Sequence, residues 1–174
     1  MAIRDPHLLA TRIIQDAGGE LVGRTRLQKV VYLMQLAGFG EEFDFEYRHY
    51  GPFSEDLARG MDIAVAFGQV DEEEKQAAWG GRYSIFHLKE AVAPSDGQRA
   101  EFVQKAKGVN AVELELAATA AFLFAVERTE HPWAETERRK PEKANNGRLE
   151  RAKAAYEMLR SLSTPRPLPP LPSG

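Results

Sequence analysis

A chain of 174 residues is long enough for one domain with a substantial core, or for a small module with a helical extension. Its 23 Lys and Arg against 26 Asp and Glu give a net charge of −3, so binding to DNA phosphates would need a local basic patch. Cysteine is absent, which removes disulfides, thiolate metal sites and cysteine nucleophiles.

The longest apolar stretch, Leu114 to Val126, falls short of the roughly 20 residues that cross a bilayer. With Glu113, Glu115 and Glu127 at its ends it reads as a buried helix, not a membrane span. The start, MAIRDPHLL, has no signal-peptide pattern, because Asp5-Pro6 interrupts it. A cytoplasmic location is the default expectation.

Asp5-Pro6 predicts a helix start, with Asp as N-cap and Pro in the first turn. Leu9, Ala10, Ile13, Ile14 and Ala17 follow at helical spacing, and Gly18-Gly19 ends the run. Glu20 to Arg24 reads as a connection. Thr25-Arg26-Leu27-Gln28 has capping-box form, and Leu27, Val30, Val31 and Met34 line one face of a second helix central to the core. Phe43, Phe45, Tyr47 and His49 alternate with polar neighbours at strand period, which places His49 and Tyr47 on one face. Gly51-Pro52 turns the chain, Ser54 caps a third helix with Leu57, Met61, Ala64 and Val65 inward, and Gly68 stops it. Val70 onward and Tyr83 to Leu88 predict a hairpin whose tip holds Trp79-Gly80-Gly81.

Beyond Pro94 the chain turns helical. Ser95-Asp96 opens one helix, and Asn110 with Glu113 opens the buried one, with Val109 placed to staple onto Leu114. His131-Pro132-Trp133 makes a corner. Arg138, Arg139, Lys140 and Lys143 form a basic cluster around Pro141, and a last helix turns Leu149, Ala152, Tyr156 and Leu159 inward. The Arg-x-x-Pro-x-x-Pro spacing from Arg166 to Pro172 fits a polyproline ligand, although a frayed tail is the plainer reading.

These elements predict a mainly α, α+β chain. Residues 1–92 form a winged-helix-like module with a β-hairpin, residues 93–163 a helical extension packed on it, and residues 164–174 a Pro-rich flexible tail.

Chemistry-bearing patterns are sparse. The four histidines, His7, His49, His87 and His131, are scattered and lack helical metal-site spacing. There is no phosphate-binding loop and no nucleophile elbow. No catalytic residue, metal or cofactor is expected. The acidic run Asp71 to Glu74 falls on the wing, and Glu55 and Asp56 open the third helix, where a DNA-binding module needs positive charge.

Two stretches carry a family resemblance: Thr25-Arg26-Leu27-Gln28-Lys29-Val30-Val31-Tyr32-Leu33, and Tyr47-Arg48-His49-Tyr50-Gly51-Pro52-Phe53-Ser54. They resemble the Leu-Gln-Lys-x-x-Tyr helix and Tyr-Gly-Pro turn of SocA-like, or Panacea-type, antitoxin-associated domains. The resemblance spans about residues 25–70, and the long helical C-terminal half departs from that family's compact pattern. It implies a winged-helix-related fold and a non-enzymatic antitoxin or adaptor that binds a protein partner such as a toxin. The expected partner surface is Arg24, Arg26, Gln28, Lys29, Tyr32, Tyr50, Gly51 and Pro52, with the basic residues at its rim. The alternative is a winged-helix DNA-binding transcriptional regulator, with Arg24, Arg26 and Lys29 on phosphates.

Overall fold

In the computed structural model, which describes residues 5–173, Pro6 opens α1 (Pro6–Asp16) directly after Asp5. The helix buries Leu9, Ala10, Ile13 and Ile14. Glu20 to Val22, expected as a connection, is a strand, β1 (Glu20–Val22), with Leu21 fully buried. Three residues are too few for strand alternation to register in the sequence.

The capping box at Thr25 does not form. Helix α2 (Arg24–Leu36) begins two residues earlier than that box would place it, behind Gly23, and no side chain caps it. The Gln28 amide that the box would use is engaged elsewhere, as described below. Leu27, Val31 and Met34 are buried together on this helix, as the stripe predicts.

The strand expected over Phe43 to His49 is shorter than its alternation. Phe43 is buried and Phe45 and Tyr47 are partly buried, but only β2 (Glu46–Arg48) pairs, antiparallel, with β3 (Gly51–Phe53). The Phe43 backbone instead meets the Gln35 side chain, whose Nε2 donates to Phe43 O at 2.9 Å and whose Oε1 accepts from Phe43 N at 3.0 Å. His49 does not join Tyr47 on a strand face; it is exposed in the two-residue loop His49-Tyr50, edge-on to the Tyr50 ring. Gly51-Pro52 likewise begins β3 and is not the turn itself.

Ser54 caps α3 (Glu55–Ala66), its Oγ accepting from Leu57 N at 3.2 Å. β4 (Val70–Gln76) and β5 (Arg82–Leu88) make the expected hairpin, with Trp79 exposed at its tip. β1 adds to the other edge of β5, so the sheet order is β1-β5-β4.

The second half contains α4 (Gly97–Lys107), α5 (Ala111–Ala125), α6 (Pro132–Arg139), α7 (Pro141–Ala144) and α8 (Arg148–Arg160). Asn110 Oδ1 caps α5 by accepting from Val112 N and Glu113 N. Every residue of α5 from Leu114 to Leu123 is buried, because α2, β3, α6 and α8 all pack against the helix. One hydrophobic core runs from α1 through α2 and α5 to α8. Arg99 on α4 ties the two halves further, its Nε donating to the buried Asp16 Oδ2 at 2.5 Å. Burial pushes the Asp16 carboxyl above its ordinary range despite that guanidinium.

The Pro-rich tail is not frayed. Leu168 is 1% exposed and belongs to the core. Tyr156 Oη donates to Pro169 O at 2.6 Å, Arg160 Nε to Leu168 O at 3.2 Å, and Arg166 N to Ala37 O at 3.0 Å. A polyproline segment leaves its carbonyls unpaired within itself, and here α8 supplies the donors.

Candidate functional site

The two resemblance-bearing stretches meet in space. On α2, Gln28 grips the backbone just after the second stretch's hairpin: its Nε2 donates to Ser54 O at 3.0 Å and Ser54 N donates to its Oε1 at 2.8 Å. One residue on, Lys29 Nζ donates to Pro52 O at 2.7 Å. Lys29 is only 1% exposed. Burial pushes its ammonium down to about 7; Glu115 opposes that shift, and Lys140 and Lys143 add to it.

The C-terminal half completes this clamp. Glu115, on the buried face of α5, pairs with Lys140 Nζ at 3.1 Å and Lys143 Nζ at 2.8 Å. Lys140 Nζ also donates to His49 O at 3.1 Å, and Lys143 Nζ lies 4.6 Å from the Tyr50 ring centre. Three lysines from two parts of the chain therefore hold one four-residue stretch, His49 to Pro52, from beneath. Gly51 is required there. Its φ is +93°, and a Cβ would sit 2.5 Å from Thr119 Oγ1 on α5. That hydroxyl is buried and has no hydrogen-bond partner among the described residues.

This geometry corrects most of the expected partner surface. Gln28, Lys29, Tyr32, Gly51 and Pro52 are buried. Lys29 is therefore no rim charge, and Tyr32 packs against Phe45 and Phe122 inside the core. They are buried because α2 is the central helix of the chain and its polar residues serve backbone groups of the neighbouring hairpin. The exposed remainder is Tyr50 (51% exposed), Arg24 and, partly, Arg26. The sequence reading missed Glu115, Thr119, Lys140 and Lys143. A carboxylate inside a helix that is apolar nearly all round was the available sign, because such a group needs a buried cation.

Arg24 is bound on its own surface. It donates to both Glu72 carboxylate oxygens, at 2.8 to 3.1 Å, and to Asp62 at 3.1 Å. Glu72 thus answers a basic residue of the same chain. Burial opposes its ionisation, yet the hydrogen bonds from Arg24 and Ser84 hold its carboxyl below the usual range. Arg26 is held differently. Its Nη1 donates to Val22 O at 2.8 Å and its Nη2 to Val109 O at 3.3 Å, while its Nε is buried without a partner. Among the described residues no carboxylate lies within 4.0 Å of it.

Tyr50 separates two depressions. A cleft of about 670 Å³ runs from the start of α2 to the β4–β5 hairpin and is walled by Arg24, Arg26, Tyr50, Trp79, Arg82 and Tyr83. A smaller pocket of about 270 Å³ lies between α2 and α3, with Leu27, Phe53, Ala58 and Met61 in its lining. Among the described residues no three His, Asp or Glu side chains gather as a metal site requires.

No family model matches this chain. The chain is similar to the Uncharacterized protein YwgA of Bacillus subtilis (strain 168), at 32% identity over 83 residues, which are 45% of this chain and 48% of that protein. The chain thus matches about half the length of that curated relative.

Proposed function

We propose that this chain is a non-enzymatic protein-interaction module of antitoxin or adaptor type, built on a winged-helix-like first half, and that it docks its partner on the surface around Tyr50. The observation that carries this reading is the mounting of Tyr50. A large aromatic side chain stands half exposed on a two-residue loop, with the His49 carbonyl just before it held by Lys140 and the Pro52 carbonyl two residues after it held by Lys29. A fixed aromatic residue gives a partner contact area with little ordering entropy left to lose. The two depressions beside it offer pockets for partner side chains.

A photo-reactive amino acid placed at position 50 tests this in cells. One defined protein adduct is expected there, and none from the same probe at Phe67, an exposed residue at the far end of α3. Equal labelling from both positions, or none at 50, refutes the docking surface.

A DNA-binding regulator is the second reading. The β1-β5-β4 sheet beside α1, α2 and α3 supports a winged-helix-like arrangement. Charge opposes DNA: α3 carries Glu55, Asp56 and Asp62 against Arg59, and β4 carries Asp71 to Glu74 against Lys75. Duplex retardation that falls steeply with salt and is lost on Arg24→Glu decides for the regulator.

A further inference from the structure

Resting on the docking reading above, we propose that the cleft beside Tyr50 receives an apolar peptide segment of the partner that carries a single carboxylate, and that the carboxylate seats on Arg26. Three arginines wall the cleft, and two of them already hold carboxylates of this chain. Arg24 is bound to Glu72 and Asp62, and Arg82 faces Glu74 at 3.5 Å. Arg26 meets only the carbonyls of Val22 and Val109, which accept its hydrogens without neutralising its charge. A guanidinium has five N–H donors, and these two bonds leave three; the buried Nε lies out of a ligand's reach, so the donors on offer are the second hydrogens of Nη1 and Nη2. Burial lowers the Arg26 ionisation equilibrium, so the charge is partly desolvated and gains most from an incoming anion.

The rest of the cleft sets the company that carboxylate keeps. Tyr50, Trp79 and Tyr83 supply aromatic walls, with Trp79 at 79% exposure and its ring lying against Gly81. Aromatic anchors of this kind dominate the energetics of protein interfaces. Glu74 lines the cleft as well, and Glu72 and Asp62 stand behind Arg24. A polyanion such as nucleic acid meets Glu74 in the cleft with Glu72 and Asp62 close behind, and a basic segment meets three arginines. One carboxylate between apolar residues avoids both conflicts.

The test pans a random displayed-peptide library on the full chain and measures the enriched peptides by fluorescence anisotropy. Enriched sequences are expected to share one Asp or Glu flanked by apolar or aromatic residues. Replacing that acid by its amide in the peptide, which leaves the protein untouched, is expected to weaken binding about tenfold or more, as for a charge-assisted hydrogen bond. Arg26→Gln is expected to match that loss, and Arg26→Lys to retain part of the affinity. Peptides that need Tyr50 but ignore both the amide change and Arg26→Gln overturn the acidic segment and leave the docking surface standing. Peptides indifferent to Tyr50→Ala as well overturn both, and so does a library that yields no binder. Binding of labelled single-stranded DNA at physiological salt, dependent on Arg26, overturns the peptide in favour of nucleic acid.

Discussion

Glu115→Gln removes the single anion from a buried group that otherwise contains Lys29, Lys140 and Lys143. Glu115 is 4% exposed and touches two ammonium groups, at 2.8 and 3.1 Å. At such separations each attraction is about 5 kcal/mol with an effective dielectric near 20. The desolvation of the carboxylate, recovered on its removal, offsets much of this. Lys143 is the smaller loss, since it can turn toward solvent. Lys140 cannot, because its side chain is as enclosed as Glu115 and is fixed to His49 O. Stranding that charge is expected to cost about 3–5 kcal/mol, a large part of the stability of a chain this size. Urea unfolding at pH 7, followed by far-ultraviolet circular dichroism, measures it as a lower midpoint at unchanged slope. Glu115→Gln with Lys140→Met is expected to recover more than half of the loss, as the cation is then gone too. A single-variant loss below about 1 kcal/mol, the scale of exposed pairs, refutes the idea that these charges act as a buried unit.

Lys29 titrates near 7 in the folded protein and near 10.5 unfolded, so between those values the unfolded chain holds the extra proton and stability rises with pH; Lys29→Met is expected to flatten that rise in denaturation midpoints taken from pH 7 to 10. Gly51→Ala is expected to cost about 1–3 kcal/mol, from positive φ and the Thr119 contact, with part of the loss recovered in Gly51→Ala with Thr119→Ala, as calorimetry of the three variants reads. Leu168→Ala is expected to cost on the order of 2–4 kcal/mol and to expose residues 164–173 to limited proteolysis, whereas a frayed tail predicts no change in stability. Tyr50→Ala is expected to leave the unfolding midpoint within about 0.5 kcal/mol of the parent while removing the position-50 partner contact, checked by urea unfolding beside pull-down of the cross-linked partner.

What could be read from the sequence was whatever depends on near neighbours. The stripe of Leu27, Val30, Val31 and Met34, the Ser54 and Asn110 caps and the largely apolar α5 each rest on residues within one or two turns, and each appears in the fold. The failures involve partners far away in the chain. Gln28 looks like a capping residue until Ser54 is brought beside it, and Lys29 looks like a surface charge until Pro52 O accepts its hydrogen bond. Composition suggests a loose end at the tail because prolines prevent helix and sheet, but composition carries no trace of Tyr156 and Arg160 waiting with donors. In the candidate site, Tyr50 and Arg26 were legible as surface residues. The lysine clamp that fixes Tyr50 was not, because Lys140 lies 91 positions from its acceptor.

The docking of Leu168 also governs when the protein can assemble. A ribosome releases the chain from its N-terminus, and α1, β1, α2 and the β4–β5 hairpin can all emerge while the last helices are still being made. The end of α2 at Ala37 finds Arg166, and Tyr156 finds Pro169, only after residues 156–169 have left the exit tunnel. Until then the place in the core that Leu168 fills stands open to other hydrophobic surfaces. Closure therefore waits for residues 156–169, and a nascent chain that has not yet reached them is the form most exposed to chaperones, proteases and aggregation.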